Sequence, residues 1–128
     1  MTEVVFRPAV PILLVRDVSR AAAFYVDRLG FARDFLYGDP PFYGSVSRGD
    51  ARLHLRHVGR PNFADLAALE VSLIVATIEV SDVRALHDEF VVRGVEFAQG
   101  IESHEWGGTD FQVADPDGNR ISFVTYAA

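Results

Sequence analysis

The chain contains no cysteine. That removes disulfides, thiolate nucleophiles and thiolate-bound metals from consideration and leaves the redox compartment undetermined. No apolar stretch reaches the roughly 18 residues that a membrane span needs, and the basic residues are scattered, with no basic run. Lys plus Arg number 12 against 18 Asp plus Glu, for a formal net charge of -6. Affinity for a nucleic-acid backbone comes from clustered positive charge, so no nucleic-acid partner is expected, and an acidic protein leans weakly toward cationic ligands. Nucleophile-elbow, phosphate-loop and dinucleotide fingerprints are missing as well. The opening MTEVVFRPAVPILLV has a short apolar run without a basic leader or a small-residue cleavage pattern. The expectation is a cytoplasmic protein without a membrane anchor.

What is present is a packed chain of one domain's length, 128 residues with 49% hydrophobic and 23% charged, a balance that supports a core and argues against disorder. It is built on a repeat. The stretch VRDVSRAAAFYVDRLGF at 15–31 returns as VSDVRALHDEFVVRGVEF at 80–97. In the first copy Asp17 stands where a side chain caps a helix, Val18, Ala22, Phe24, Tyr25, Val26 and Leu29 form an apolar face, and Gly30 ends it. In the second, Asp82 caps, Val83, Leu86, Phe90 and Val91 form the face, and Gly94 ends it.

VPILLV (10–15) reads as a strand before the first helix, and FARDFLY (31–37), FYGSVS (42–47) and ARLHLRH (51–57) read as three strands after it. The second half supplies VEFAQG, TDFQVA and RISFVTY, the last two joined by the turn sequence DPDGN. The expected fold is α+β, a single domain over 1–128 made of two tandem βαβββ modules. Module 1 covers about 8–57, module 2 covers 73–126, and the connecting loop 58–72 is either a binding loop or a plain linker. A helical turn is expected at ADLAAL within it.

VRD or VSD before each helix, LGF after the first, and DPDGNRISF near the end resemble the vicinal oxygen chelate superfamily, which includes glyoxalase I, extradiol dioxygenases and bleomycin-resistance proteins. The resemblance covers essentially the whole chain and implies that the modules curl into an incomplete barrel around a cavity. Its enzymes hold a divalent metal with four side chains, and the matching positions are Val10, His54, Val75 and Ser122. Two valines offer no lone pair and a serine hydroxyl is a poor neutral ligand, so neither a metal nor another cofactor is expected. Among the remaining histidines, His87 is expected on the polar surface of the second helix. His104, beside Glu102 and Glu105, is either an acid/base residue or a loop residue of no catalytic role.

Within the superfamily the bleomycin-resistance proteins are most similar, through AVPILLVRDVSRAAAFYVDRLGFARDF (9–35) and HEWGGTDFQVADPDGNRISFV (104–124). That resemblance implies a homodimer that sequesters an antibiotic in two interface clefts, with the N-terminal arm TEVVFRPAVP crossing to the other subunit. The residues that match ligand-binding positions are Asp34, Phe35, Phe42, Tyr43, Trp106 and Gly107. Aromatic faces stack on planar heterocycles, carboxylates favour cationic tails, and glycine lets a ligand approach the backbone. Alternation in ARLHLRH puts Arg52, His54 and Arg56 on one strand face. They either line the cavity, where they disfavour a cationic ligand, or pair with acids at a subunit contact. Three functions remain open: a non-catalytic protein that sequesters a bleomycin-type antibiotic or related natural product, a metal-independent isomerase or lyase of the superfamily, and a housekeeping or regulatory member.

Overall fold

The computed structural model describes residues 2–127. The elements run β1 (Ile12–Val15), α1 (Val18–Asp27), β2 (Ala32–Gly38), β3 (Pro41–Arg48), β4 (Ala51–His57), α2 (Phe63–Leu69), β5 (Ala76–Glu79), α3 (Val83–Val92), β6 (Phe97–Ser103), β7 (Gly108–Ala114) and β8 (Arg120–Tyr126). The first sheet has the order β1-β4-β3-β2 and the second β5-β8-β7-β6. Each has one parallel pair, β1 with β4 and β5 with β8, and its other pairs are antiparallel. The protein is therefore α+β, with the βαβββ order used twice and both sheets open. Among the described residues no helix is long and apolar enough to cross a membrane.

Local chemistry explains the repeat. The Asp17 carboxylate accepts the Arg20 N–H at 3.0 Å and the Asp82 carboxylate accepts the Ala85 N–H at 3.1 Å, so both helices start on an aspartate cap. Both end at a glycine in the left-handed region, Gly30 at φ 72° and Gly94 at φ 77°, where a Cβ is disfavoured. Each helix covers one face of its own sheet. Leu53 and Leu55 on β4, and Phe111, Val113, Ile121 and Phe123 on β7 and β8, point inward, and one continuous apolar cluster joins the two modules.

Polar ties connect the modules where the helices meet. The buried Tyr25 hydroxyl donates to Asp115 at 2.9 Å, and the Asn119 amide donates both to Asp115 and to the Leu14 carbonyl, at 3.0 Å each. Arg48 makes a paired contact with Glu89 at 2.7 and 2.8 Å. The two helix C-termini also exchange arginines. Arg28 donates to the Arg93 and Gly94 carbonyls at 2.9 and 3.3 Å, and Arg93 donates to the Asp27 carbonyl at 3.3 Å. A guanidinium suits the negative end of a helix dipole.

Two expectations are corrected. His87 is not a surface residue: its ring stacks on Phe97 at 4.3 Å and meets the edge of Phe111 at 5.4 Å, because α3 lies over β6 and β7. Val91 is exposed instead of facing the core, since the apolar stripe passes through Val83 and Phe90. The helical turn expected at ADLAAL is present as α2, which packs Ala64 against Gly118, where a Cβ would be crowded.

Burial raises the Tyr25 hydroxyl well above its ordinary value of 10.0, with the Asp115 charge adding to the effect. A raised pKa gives stability that is present below the unfolded value and lost as pH climbs through the folded one. Tyr25→Phe should cost about 1–3 kcal/mol by leaving Asp115 short of a donor, measured by urea unfolding at pH 7. The variant should also lose less of its remaining stability above pH 10.0 than the parent does.

Candidate ligand-binding site

Because the helices take the inner faces of the sheets, every polar or aromatic side chain on the alternate strand positions faces outward. On the first sheet this outer face carries Asp34, Phe35, Tyr43, Ser45, Ser47, Arg52, His54 and Arg56. Asp34 and Phe35 are adjacent in sequence and would point to opposite faces of a regular strand. An irregularity in the β2–β3 register between Arg33 and Phe35 turns both to the same side.

The Asp34 carboxylate is fixed there by the hydroxyls of Ser47, donating at 2.7 Å, and Ser45, donating at 2.8 Å. Arg52 Nε stands 3.7 Å from it. The Ser47 hydrogen bond is the main cause that holds the Asp34 carboxyl below its ordinary 3.8, against a smaller desolvation effect, with Ser45, Arg52 and His54 assisting. Beside it Tyr43 and His54 are joined, hydroxyl to Nδ1, at 2.8 Å, and Phe35 meets the His54 ring edge-on at 6.2 Å. Phe42 lies apart, at the hairpin tip, with its ring 5.3 Å from that of Tyr37. Arg56 donates to the His57 carbonyl at 2.9 Å. The arginine wall is thus partly spent within the chain, and Arg52 finds its acid in Asp34 of the same chain.

Trp106 and Gly107 belong to the second module, in the β6–β7 turn. Trp106 is 60% exposed and stacks on His104 with ring centroids 4.7 Å apart and planes within 9°. His104 Nε2 lies 2.7 Å from Asp110 Oδ1, which also accepts the Gln99 amide at 2.8 Å. The carboxylate partner of His104 is therefore Asp110, across the hairpin, and not the sequence neighbours Glu102 and Glu105. Gly107 takes φ 97° with open space where a Cβ would stand, while a Cβ on Gly108 would run into the Trp106 ring. Among the described residues no hydrogen bond, ion pair or ring contact joins the Trp106 group to the Asp34 group.

Ser45, Ser47, Gln99 and Asp110 were missed by the reading of the sequence. Alternation in FYGSVS already aligned Tyr43, Ser45 and Ser47, but pairing them with Asp34 required the β2 irregularity, which leaves no mark in the sequence. The donor set does not fit a divalent metal. Val10 and Val75 offer no donor, His54 Nδ1 is engaged by Tyr43, and no cluster of three or more His, Asp or Glu suited to a metal occurs among the described residues.

The family model of the glyoxalase/bleomycin resistance protein/dioxygenase superfamily matches residues 7–123. The chain belongs to that superfamily. It is 33% identical to the bleomycin-binding protein of the bleomycin producer Streptomyces verticillus, solved with copper(II)-bleomycin, over 98% of this chain and 99% of the other, with a TM-score of 0.73. A bleomycin resistance protein of Geobacillus stearothermophilus is 28% identical over 126 residues, 90% of this chain and 93% of the relative. Another bleomycin-binding protein, solved with bleomycin, matches with a TM-score of 0.73 and 26% identity over 94% of this chain and 98% of the other. For this superfamily member, bleomycin resistance and bleomycin-binding proteins occur among the relatives by sequence and by fold alike.

A lowered carboxyl gives stability that is present above its unfolded value and lost as pH falls through the folded one. Replacing both Ser45 and Ser47 by alanine should move the Asp34 titration upward toward 3.8, followed by carbon-detected NMR of the carboxyl.

Proposed function

We propose that this protein sequesters a bleomycin-type antibiotic, or a related natural product, without altering it, and that it does so as a homodimer whose clefts are completed by the second copy. The observation that carries the proposal is a carboxylate held charged and fixed by Ser45 and Ser47 on the same sheet face as the rings of Phe35 and Tyr43, which both pack against His54. A planar cationic ligand needs such a pairing of ring faces and fixed negative charge. Relatives that are bleomycin-binding proteins support the proposal independently.

The separation of the Asp34 group from the Trp106 group within one chain supports the dimer. A cleft formed by one copy's first module and the other's second module would bring Asp34, Phe35, Phe42, Tyr43, His54 and Arg56 opposite Trp106 and Gly107. Exposed Val4, Val5 and Phe6, the last 93% exposed, make the N-terminal arm a segment that a second copy would cover. A cytoplasmic site of action follows for a protein that captures an antibiotic before it reaches an intracellular target.

A second reading, a metal-independent isomerase or lyase, draws on the 2.7 Å pairing of His104 with the largely buried Asp110, since a histidine oriented by a carboxylate is a usable acid/base group. Turnover abolished by His104→Ala would favour it.

Metal-free bleomycin titrated into the protein should perturb the emission of Trp106, the single tryptophan, and saturate at about one ligand per subunit. Phe35→Ala should weaken the affinity by roughly tenfold, about 1.4 kcal/mol, and Trp106→Phe should abolish the optical signal while calorimetry still detects heat. Absence of both heat and emission change in the parent protein overturns the proposal for bleomycin.

A further inference from the structure

The two modules differ where each hairpin tip meets the other module's helix. The β7–β8 turn is five residues long, 115–119, and is tied to α1 through Tyr25. The equivalent β3–β4 turn is only Gly49 and Asp50, and it leaves a groove of about 710 Å³ against α3 and the β5 edge. This volume lies within the range of roughly 300–1,000 Å³ typical of small-molecule sites. None of the outer-face residues Asp34, Phe35, Tyr43, His54 or Trp106 lines it.

Its floor is apolar, formed by Phe31, Ile78, Val80, Leu86 and Phe123. On its walls, Arg48 is neutralised by the paired contact with Glu89, and the Asp82 carboxylate is engaged in capping α3. Asp50 remains, and among the described residues it makes no ion pair or side-chain hydrogen bond, while Asp82 keeps its charge as it caps. The uncompensated charge around the apolar floor is therefore negative. With no imidazole on the walls and a hydrophobic surface beneath, it suits an organic cation better than a metal ion.

We propose that this groove is a second ligand site, separate from the outer-face site, and that it takes a small amphiphilic amine. The apolar body of the ligand lies on Ile78, Leu86 and Phe123, and its ammonium group faces Asp50. The proposal does not depend on the outer face binding bleomycin, and the two can fail independently.

The test uses the full chain at pH 7 with 2-naphthylethylamine as the probe and 2-naphthylacetate as an anion of the same body, followed by calorimetry and amide NMR. The amine should bind saturably and shift Asp50, Ile78 and Leu86 while Phe35 and Tyr43 stay still. The anion should bind at least tenfold more weakly, and Asp50→Asn should lose the amine by about tenfold while keeping the parent spectrum elsewhere. Equal affinity for the anion, unchanged amine binding in Asp50→Asn, or shifts confined to the outer face would overturn the proposal. Amine binding tenfold tighter in Phe6→Ser than in the parent would also overturn it, by assigning the groove to the apolar arm of another copy.

Discussion

One buried carboxylate holds the two halves of this protein in register. Asp115 is 6% exposed and accepts the Tyr25 hydroxyl, the Asn119 amide and the backbone N–H groups of Asp117 and Asn119. Burial raises its pKa, and these hydrogen bonds work against that rise. A charge left in such a position without partners would be strongly destabilising, so each partner is under physical constraint. The turn 115–119 must curl around the carboxylate, α1 must present Tyr25 to it, and Asn119 must reach Leu14 on β1. The position of the second module on the first is set by these requirements together with the shared apolar cluster.

Once the helices occupy the inner faces, the outer faces are left to chemistry. Val10 and Val75 bring no donor to this scaffold, and Tyr43 engages Nδ1 of His54. Asp34 is a fixed charge on the first module's outer face, aimed by a strand irregularity and held by two serines.

The repeat was readable because its signals are local. Aspartate caps, glycine stops and strand alternation depend on a few neighbouring residues, and the structure has Asp17, Asp82, Gly30, Gly94 and the inward Leu53 and Leu55 where the pattern puts them. Long-range pairings were not readable. His104 stands beside two glutamates in sequence, yet it binds Asp110 because a β-hairpin brings together residues six apart. His87 was read as surface because its helix neighbours are charged, while the aromatic surface it covers belongs to β6 and β7. Asp34 drew notice through its family position, but its serine clamp exists only because β2 departs from regular pairing.

The arginine exchange between α1 and α3 makes the two halves of the repeat depend on each other. Each helix ends with carbonyls that its own sequence leaves for the other half to satisfy: Arg28 finishes α3 and Arg93 finishes α1. Separating the halves would therefore bare two helix ends at once, one on each side of the cut.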